Sequence, residues 1–265
     1  MDPGSAPLTR LVQDDDSNCS ARTTGNEMTA LTDDNRKKLK RVSTATLTTA
    51  LFKRGFRNQF IQDVRPVGAV RQESMVGEAF TLRYIPARED LDLLSAFEGT
   101  SHPQRRAVED CPPGHVMVID SRKDPRAASA GGILVSRLMQ RGCAGIVTDG
   151  GFRDSPEIAG MAMPAYHNRP SAPTNLIRHH ALDINAPIAC GDIAVYPGDI
   201  VVGDGEGVCV IPAHLANEIA PEVYEQTAYE DFVAERVRGG QGIFGLYPAN
   251  EKTKAEFAKW RPSWS

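Results

Sequence analysis

Residues 114–120 read GHVMVID, residues 131–142 read GGILVSRLMQRG, and residues 144–154 read AGIVTDGGFRD. The first follows the turn Pro112-Pro113-Gly114 and is a short, mostly β-branched apolar run, which predicts a buried strand over 115–120. The second carries Ile133, Leu134, Leu138 and Met139 at helical spacing and meets Gly142, which predicts a helix over 133–141 with a glycine stop. The third predicts another buried strand over 144–149, then a tight glycine turn over 150–154. With the polar loop 121–130 between strand and helix, the order is that of a βαβ unit, and such a unit makes its two strands parallel. The fold class is therefore α/β.

The flanking segments extend this frame. Upstream, Thr32 or Asp33 caps a short helix carrying Leu39 and Val42. Ser43 or Thr44 caps a second, with Leu47, Ala50 and Leu51 on one face and Gly55 as its stop. Residues 67–70 and 79–85 read as strands, and 91–97 has helical spacing. Downstream, Ser155-Pro156-Glu157 opens another helix. Strands follow at 188–190 and 194–196, then a turn at 197–199. A hairpin over 200–203 and 208–211 and a helix from about 215 to 238 complete the pattern. No linker interrupts 31–238, so residues 29–265 read as one domain with a C-terminal helical extension. Residues 1–28 are acidic and polar with little to bury, and read as a leader or tag.

Composition narrows the function classes. The 265 residues hold 30 Lys plus Arg against 34 Asp plus Glu, a formal charge of −4, which argues against nucleic acid as a partner. The basic run Arg36, Lys37, Lys38, Lys40 and Arg41 falls on a helix and reads as a solvated face. No apolar run approaches the ~20 residues of a membrane span, and no secretory h-region is present, so the expected location is the cytoplasm, away from membranes. Five cysteines without a CxxC pattern read as reduced thiols, with Cys143, Cys190 and Cys209 in the core.

The chemistry-bearing residues sit where α/β proteins place ligands, in loops after parallel strands. Arg153 is a planar, permanently charged donor suited to a carboxylate, and Asp154 is a hard oxygen ligand suited to Mg²⁺ or Mn²⁺. Together they can hold a 2-keto acid; the competing reading is an ion pair that stiffens a turn. Gly131-Gly132 opens a helix and lets the backbone approach an anion closely, or else makes a tight joint. Residues 203–207 are glycine-rich but lie in the hairpin, and read as turn chemistry. His179 and His180 read as adjacent surface residues on a helix.

These motifs, with Pro197-Gly198-Asp199, Gly203-Asp204 and the run 207–212, resemble the RraA-like superfamily. That superfamily includes class II pyruvate aldolases, such as 4-hydroxy-4-methyl-2-oxoglutarate aldolase, and the regulator of ribonuclease activity A. The resemblance covers about three quarters of the chain. It implies a swivelling β/β/α domain with mixed sheets, flanking helices and a C-terminal helix, assembled as a homotrimer or hexamer with sites at subunit interfaces. It makes Asp154 the protein ligand to Mg²⁺ or Mn²⁺ and Arg153 the contact that stabilises a pyruvate enolate. It gives the carboxylate of the substrate to the backbone N–H groups of Gly131, Gly132, Ile133 and Leu134.

Two departures stand out. Many family members carry an acid where this chain has Gly132; Asp124, Glu157 or an acid of a neighbouring subunit is left to replace it. The segment 97–106 suggests a different pocket, in which His102 contacts substrate or acts as acid/base, or is a solvated loop residue. The expected function is a divalent-metal-dependent lyase that cleaves a 4-hydroxy-2-keto acid to pyruvate, with oxaloacetate decarboxylation open to the same enolate. The alternatives are a non-catalytic regulator that binds a protein such as a ribonuclease, and a hydratase or dehydratase of keto-deoxy sugar acids.

Overall fold

The computed structural model describes residues 30–264. The leader expected over 1–28, with Cys19 in it, lies outside the described residues. The chain opens with helices α1 (Asp33–Leu39) and α2 (Thr44–Lys53), then strands β1 (Phe60–Ile61), β2 (Arg65–Pro66) and β3 (Met75–Pro86). Helix α3 (Pro103–Asp110) leads to β4 (Val116–Asp120), β5 (Ala128–Ala130), α4 (Gly132–Gln140), β6 (Gly145–Thr148), β7 (Gly151–Phe152) and α5 (Ser155–Ala159). Next come β8 (Ala165–His167), β9 (Arg169–Pro170), β10 (His179–Ile184), β11 (Ile188–Cys190), β12 (Ile193–Val195), β13 (Ile200–Gly203) and β14 (Val208–Ile211). Helices α6 (Ala213–Arg238) and α7 (Glu251–Trp260) close the chain.

The large sheet runs β1-β14-β13-β3-β4-β6-β8-β2, with β10 also paired to β3. Its centre, β3-β4-β6-β8, is parallel, as the βαβ reading requires, and both flanks are antiparallel. The long strand β3 is the spine: Met75–Glu78 pair with β13, 79–83 with β4, and 82–86 with β10. Side chains alternate in period two. Met117 and Ile119 of β4 enter the apolar cluster under α3 and α4, while Val116 and Val118 face β11–β14. A third cluster packs α1, α2 and α6 on the hairpin β13–β14.

The expected caps form. Thr32 accepts from the Asn35 N–H and Ser43 from the Thr46 N–H, and Gly55 stops α2 at φ +88°. The 203–207 loop is turn chemistry: Asp204 accepts from the N–H groups of Glu206 and Gly207, and also from the N–H and hydroxyl of Thr44 at the start of α2. Cys111, Cys143, Cys190 and Cys209 are buried free thiols. Among the described residues, no helix is long and apolar enough to cross a membrane.

Five expectations are corrected. Residues 67–70 form no strand, because Gly68 turns the chain at φ +88°; the pairing segment is Arg65–Pro66. In 91–97 only a 3₁₀ turn, Leu94–Phe97, forms. Loops 121–130 and 150–154 conceal β5 and β7. His179 and His180 are on strand β10, where His179 is buried against the Tyr84 ring and His180 bonds Asp92. The basic run is a solvated face only in part: Lys37 and Arg41 are exposed, with Arg41 over the Trp264 ring, while Arg36 pairs with Glu78, Lys38 with Asp34 and Lys40 with Glu73.

Candidate active site

Strands β5, β7 and β9 form a small parallel sheet of their own. A buried hydroxyl triad ties it to the large sheet: Ser129 Oγ of β5 bonds Ser121 Oγ at 2.6 Å and Thr148 Oγ1 at 2.7 Å, and Ser121 reaches Thr148 at 3.1 Å. The C-terminal ends of the three strands deliver Gly131 after β5, Arg153 and Asp154 after β7, and the loop to Asn175 after β9. All three arrivals line one cleft of about 240 Å³, along with Ile133 and Leu134 of α4. Phe97, Gln104 and Arg105 close it from the side of α3. A larger groove of about 580 Å³ runs beside α2, but its charged members are only Arg57 and Glu206.

Asp154 adopts φ 57°, ψ 31°, a left-handed conformation that is uncommon away from glycine but tolerated by Asp. The conformation turns the chain sharply between β7 and α5. Its Oδ2 accepts from the Gly132 N–H at 3.1 Å and lies 3.5 Å from Arg153 Nε. Gly131 makes the approach possible, since a Cβ there would stand 2.7 Å from Arg153 Cγ and 2.8 Å from Asp154 Oδ2. Gly131→Ala is therefore expected to push both side chains aside. A displacement near 1 Å at a reacting centre costs on the order of 10²-fold in turnover. Steady-state kinetics beside a melting curve checks this: activity should fall much further than stability.

The start of α4 has two open donors rather than four. Gly132 N–H is given to Asp154 and Leu134 N–H to Gly131 O, so Gly131 and Ile133 keep theirs free among the described residues. The Ile133 side chain, counted among the helix's apolar positions, is 85 % exposed at the rim of the cleft, whereas Val135 and Leu138 are buried.

The remaining candidates separate. The carboxylate of Glu157 lies over Gly132: a Cβ on Gly132 would be 2.7 Å from Glu157 Oε2. Asp124 does not line the cleft. Arg126 and Arg178 take its oxygens at 2.7 and 3.2 Å, and the Arg126 hydrogen bond in particular holds its carboxyl well below the usual range. His102 does not line the cleft either. It is 8 % exposed, lies behind Phe97 at a ring distance of 4.8 Å, and leaves its Nδ1 without a partner. Burial, then the nearby Arg105 charge, lowers its pKa, so the ring is neutral at pH 7. The sequence reading did not single out Asn175, whose place in the cleft depends on the path of the chain after β9.

Among the described residues no three His, Cys, Asp or Glu side chains converge as a metal cage. The site offers one half-exposed carboxylate, Asp154, and a second one, Glu157, over the adjacent glycine. That donor set fits a hard cation that keeps most of its water, as Mg²⁺ does, and does not fit a closed zinc site.

A family model described as RraA-like, Aldolase/RraA, matches residues 44–210, a span that holds every residue of this cleft. A Halalkalibacterium halodurans relative named "Putative 4-hydroxy-4-methyl-2-oxoglutarate aldolase" is 31% identical over 131 residues, covering 49% of this chain. The match spans 61% of that relative's length, less than two thirds. The Streptomyces coelicolor protein RraAS2 is described as an unusual member of the RNase ES inhibitor RraA protein family. Its crystal structure superposes with a TM-score of 0.66 at 26% identity, over 77% of this chain and 97% of that one. An uncharacterized protein from Pseudomonas syringae shares the fold, with a TM-score of 0.70 at 21% identity over 83% of this chain and 99% of that one.

Proposed function

Because this chain belongs to the RraA-like, Aldolase/RraA family, we propose that it is a divalent-metal-dependent lyase that releases pyruvate from a 4-hydroxy-2-keto acid. The observation that carries this reading is the convergence of Arg153, Asp154 and the open helix start of α4 on one cleft of small-molecule size. The name of the Halalkalibacterium relative points the same way.

In this reading Asp154 holds the cation, with Mg²⁺ or Mn²⁺ as the candidates. When bound, such an ion polarises the keto oxygen as a Lewis acid. The free N–H groups of Gly131 and Ile133 receive the carboxylate of the substrate at the positive end of α4. Arg153 donates to the oxygen on which negative charge grows as the carbon–carbon bond breaks, a charge that fixed donors stabilise most. Among the lining residues Asp154 is the sole carboxylate and no histidine is present, so no side chain is set aside to take the proton of the distal hydroxyl. Oxaloacetate, whose decarboxylation reaches the same enolate without that proton transfer, is the first substrate to try. A homotrimer or hexamer completes the proposal, with mass in solution as its check.

Glu157 takes the part of the acid that Gly132 lacks, ordering water around the cation from α5 instead of from α4. Glu157→Gln is expected to weaken Mn²⁺ binding by about 10–100-fold, the usual cost of losing a group that orients metal-bound ligands. Electron paramagnetic resonance of free Mn²⁺ measures this without any turnover. Unchanged Mn²⁺ affinity would remove Glu157 from the site.

The test of the function is pyruvate release from oxaloacetate and a panel of 4-hydroxy-2-keto acids, with Mg²⁺ or Mn²⁺ and with EDTA. Pyruvate that depends on the metal supports the lyase. The absence of a side-chain acid at Gly132 favours a second reading, a binding protein in the manner suggested by the description of RraAS2. No turnover and no metal binding by the folded chain would favour that reading.

A further inference from the structure

Cys111 and Cys143 stand 32 positions apart in sequence and meet in the fold. Cys111 caps the C-terminal end of α3, and Cys143 follows the left-handed Gly142 that stops α4. Both sulfurs turn to one carbonyl: Cys111 Sγ lies 4.0 Å and Cys143 Sγ 3.7 Å from Pro112 O. Cys143 Sγ also approaches Cys111 O at 3.8 Å, and the two thiols hydrogen-bond with each other. Arg141 is anchored at the same spot. Its Nε and Nη2 are each 3.4 Å from Cys111 O, and its Nη1 lies 3.6 Å from Glu109.

The four described cysteines are therefore of two kinds. Cys190 and Cys209 are fully buried, and burial pushes Cys209 up to about 12 and Cys190 well above the ordinary thiol range. Cys143 keeps 8 % of its surface exposed. The Cys111 hydrogen bond, with the Arg141 charge behind it, outweighs burial there and holds the Cys143 thiol below that range. Cys111 is fully buried, and the same bond together with burial pushes it far up, so it keeps its proton. A cysteine that ionises beside a cation, within reach of a second thiol, has the makings of an attacking and a resolving pair.

We infer that Cys143 and Cys111 form a redox modification site, at which a hydroperoxide closes a reversible disulfide between the end of α3 and the turn after α4. The Cys143 thiolate attacks one oxygen of hydrogen peroxide. The S–O bond forms, the O–O bond breaks, and the departing hydroxide takes up the proton that Cys143 had released. The Cys111 sulfur then attacks the sulfur of the Cys143 sulfenic acid. The S–S bond forms, the S–O bond breaks, and the second hydroxide leaves as water with the Cys111 proton. Two thiols give up two electrons, and one peroxide becomes two waters. The bridge joins the far ends of the two helices that bring Gln104, Arg105, Ile133 and Leu134 to the cleft. It uses no cleft residue, so it stands or falls apart from the lyase reading.

The test is hydrogen peroxide added to the reduced, folded full chain, then N-ethylmaleimide in denaturant, tryptic digestion and mass spectrometry. Cys111 lies in tryptic peptide 107–122 and Cys143 in 142–153. The expected product is these two peptides joined, two hydrogens lighter than the reduced pair, with dithiothreitol restoring both free forms. Cys190 and Cys209 should keep their maleimide. Cys111→Ala should instead accumulate the sulfenic acid on Cys143, trapped by dimedone, and Cys143→Ala should leave Cys111 without dimedone. The wild-type result needs no variant, so a variant that fails to fold does not shield the inference. No joined peptide from the folded chain, or one that forms only in urea, would overturn it. Dimedone on Cys111 rather than Cys143 would overturn it as well.

Discussion

Asp154→Ala is expected to abolish the proposed metal-dependent pyruvate release, with kcat/KM falling by about 10³-fold or more. Several kcal/mol of charge stabilisation depend on the cation being held, and each 1.36 kcal/mol is tenfold in rate. The alanine variant also disturbs the backbone, because Asp154 sits at φ 57°. Alanine pays a penalty in that conformation that Asp and Asn largely avoid. Asp154→Asn separates the two effects. It keeps an oxygen for the Gly132 N–H and tolerates the left-handed turn, but it removes the charge. Both variants should be inactive and fail to bind Mn²⁺, and the Asn variant should melt with the wild type. An active Asp154→Asn enzyme would show that the carboxylate does not hold the cation.

How much of this was legible in the sequence varies with the distance over which a residue acts. The strands at 116–120 and 145–148 and helix α4 follow from local periodicity and glycine stops, and they appear where expected. The Gly131 and Arg153-Asp154 motifs are also local, and the parallel pairing of β5 with β7 explains why they meet. That pairing was not itself visible, because strands of two or three residues carry no period to detect. Asp124 looked like a spare carboxylate because Arg178, one of its two partners, is 54 positions away. His179 and His180 looked like a helical surface pair for the same reason: the Tyr84 ring and Asp92 that pack on them come from distant segments. Asn175 has no pattern around it, and its place in the cleft is known only once the path of the chain after β9 is.

Asp149→Ala is expected to be the most destabilising single substitution in the site's scaffold. The residue reads as the last of the strand expected over 144–149, yet it is 1 % exposed and its carboxylate collects three backbone N–H groups. Oδ1 accepts from Ser121 at 2.7 Å, and Oδ2 from Lys123 and Gly191 at 3.1 Å each. Two of these donors belong to a turn in which Arg122 and Lys123 are both left-handed, at φ 59° and 54°, a strained pair that needs outside support. That turn leads from β4 to β5, so the carboxylate holds the small sheet, and with it Gly131, in place. Each buried N–H left unpaired costs about 1–3 kcal/mol, so the loss should reach roughly 3 kcal/mol or more. For a chain of this size that lowers the melting point by roughly 6–12 °C. Burial, outweighing the three N–H bonds, pushes the Asp149 carboxyl up from 3.8 to about 6. A raised carboxyl contributes stability that is fully present below the unfolded value and is lost as pH rises through the folded one. The gap between wild type and Asp149→Ala should therefore be widest near pH 4, narrow through pH 6, and level off at the cost of the orphaned N–H groups. Urea melts of both chains at pH 4.5, 6 and 8 measure it. A gap that does not change with pH would mean that Asp149 is charged throughout, with the three N–H donors outweighing its burial.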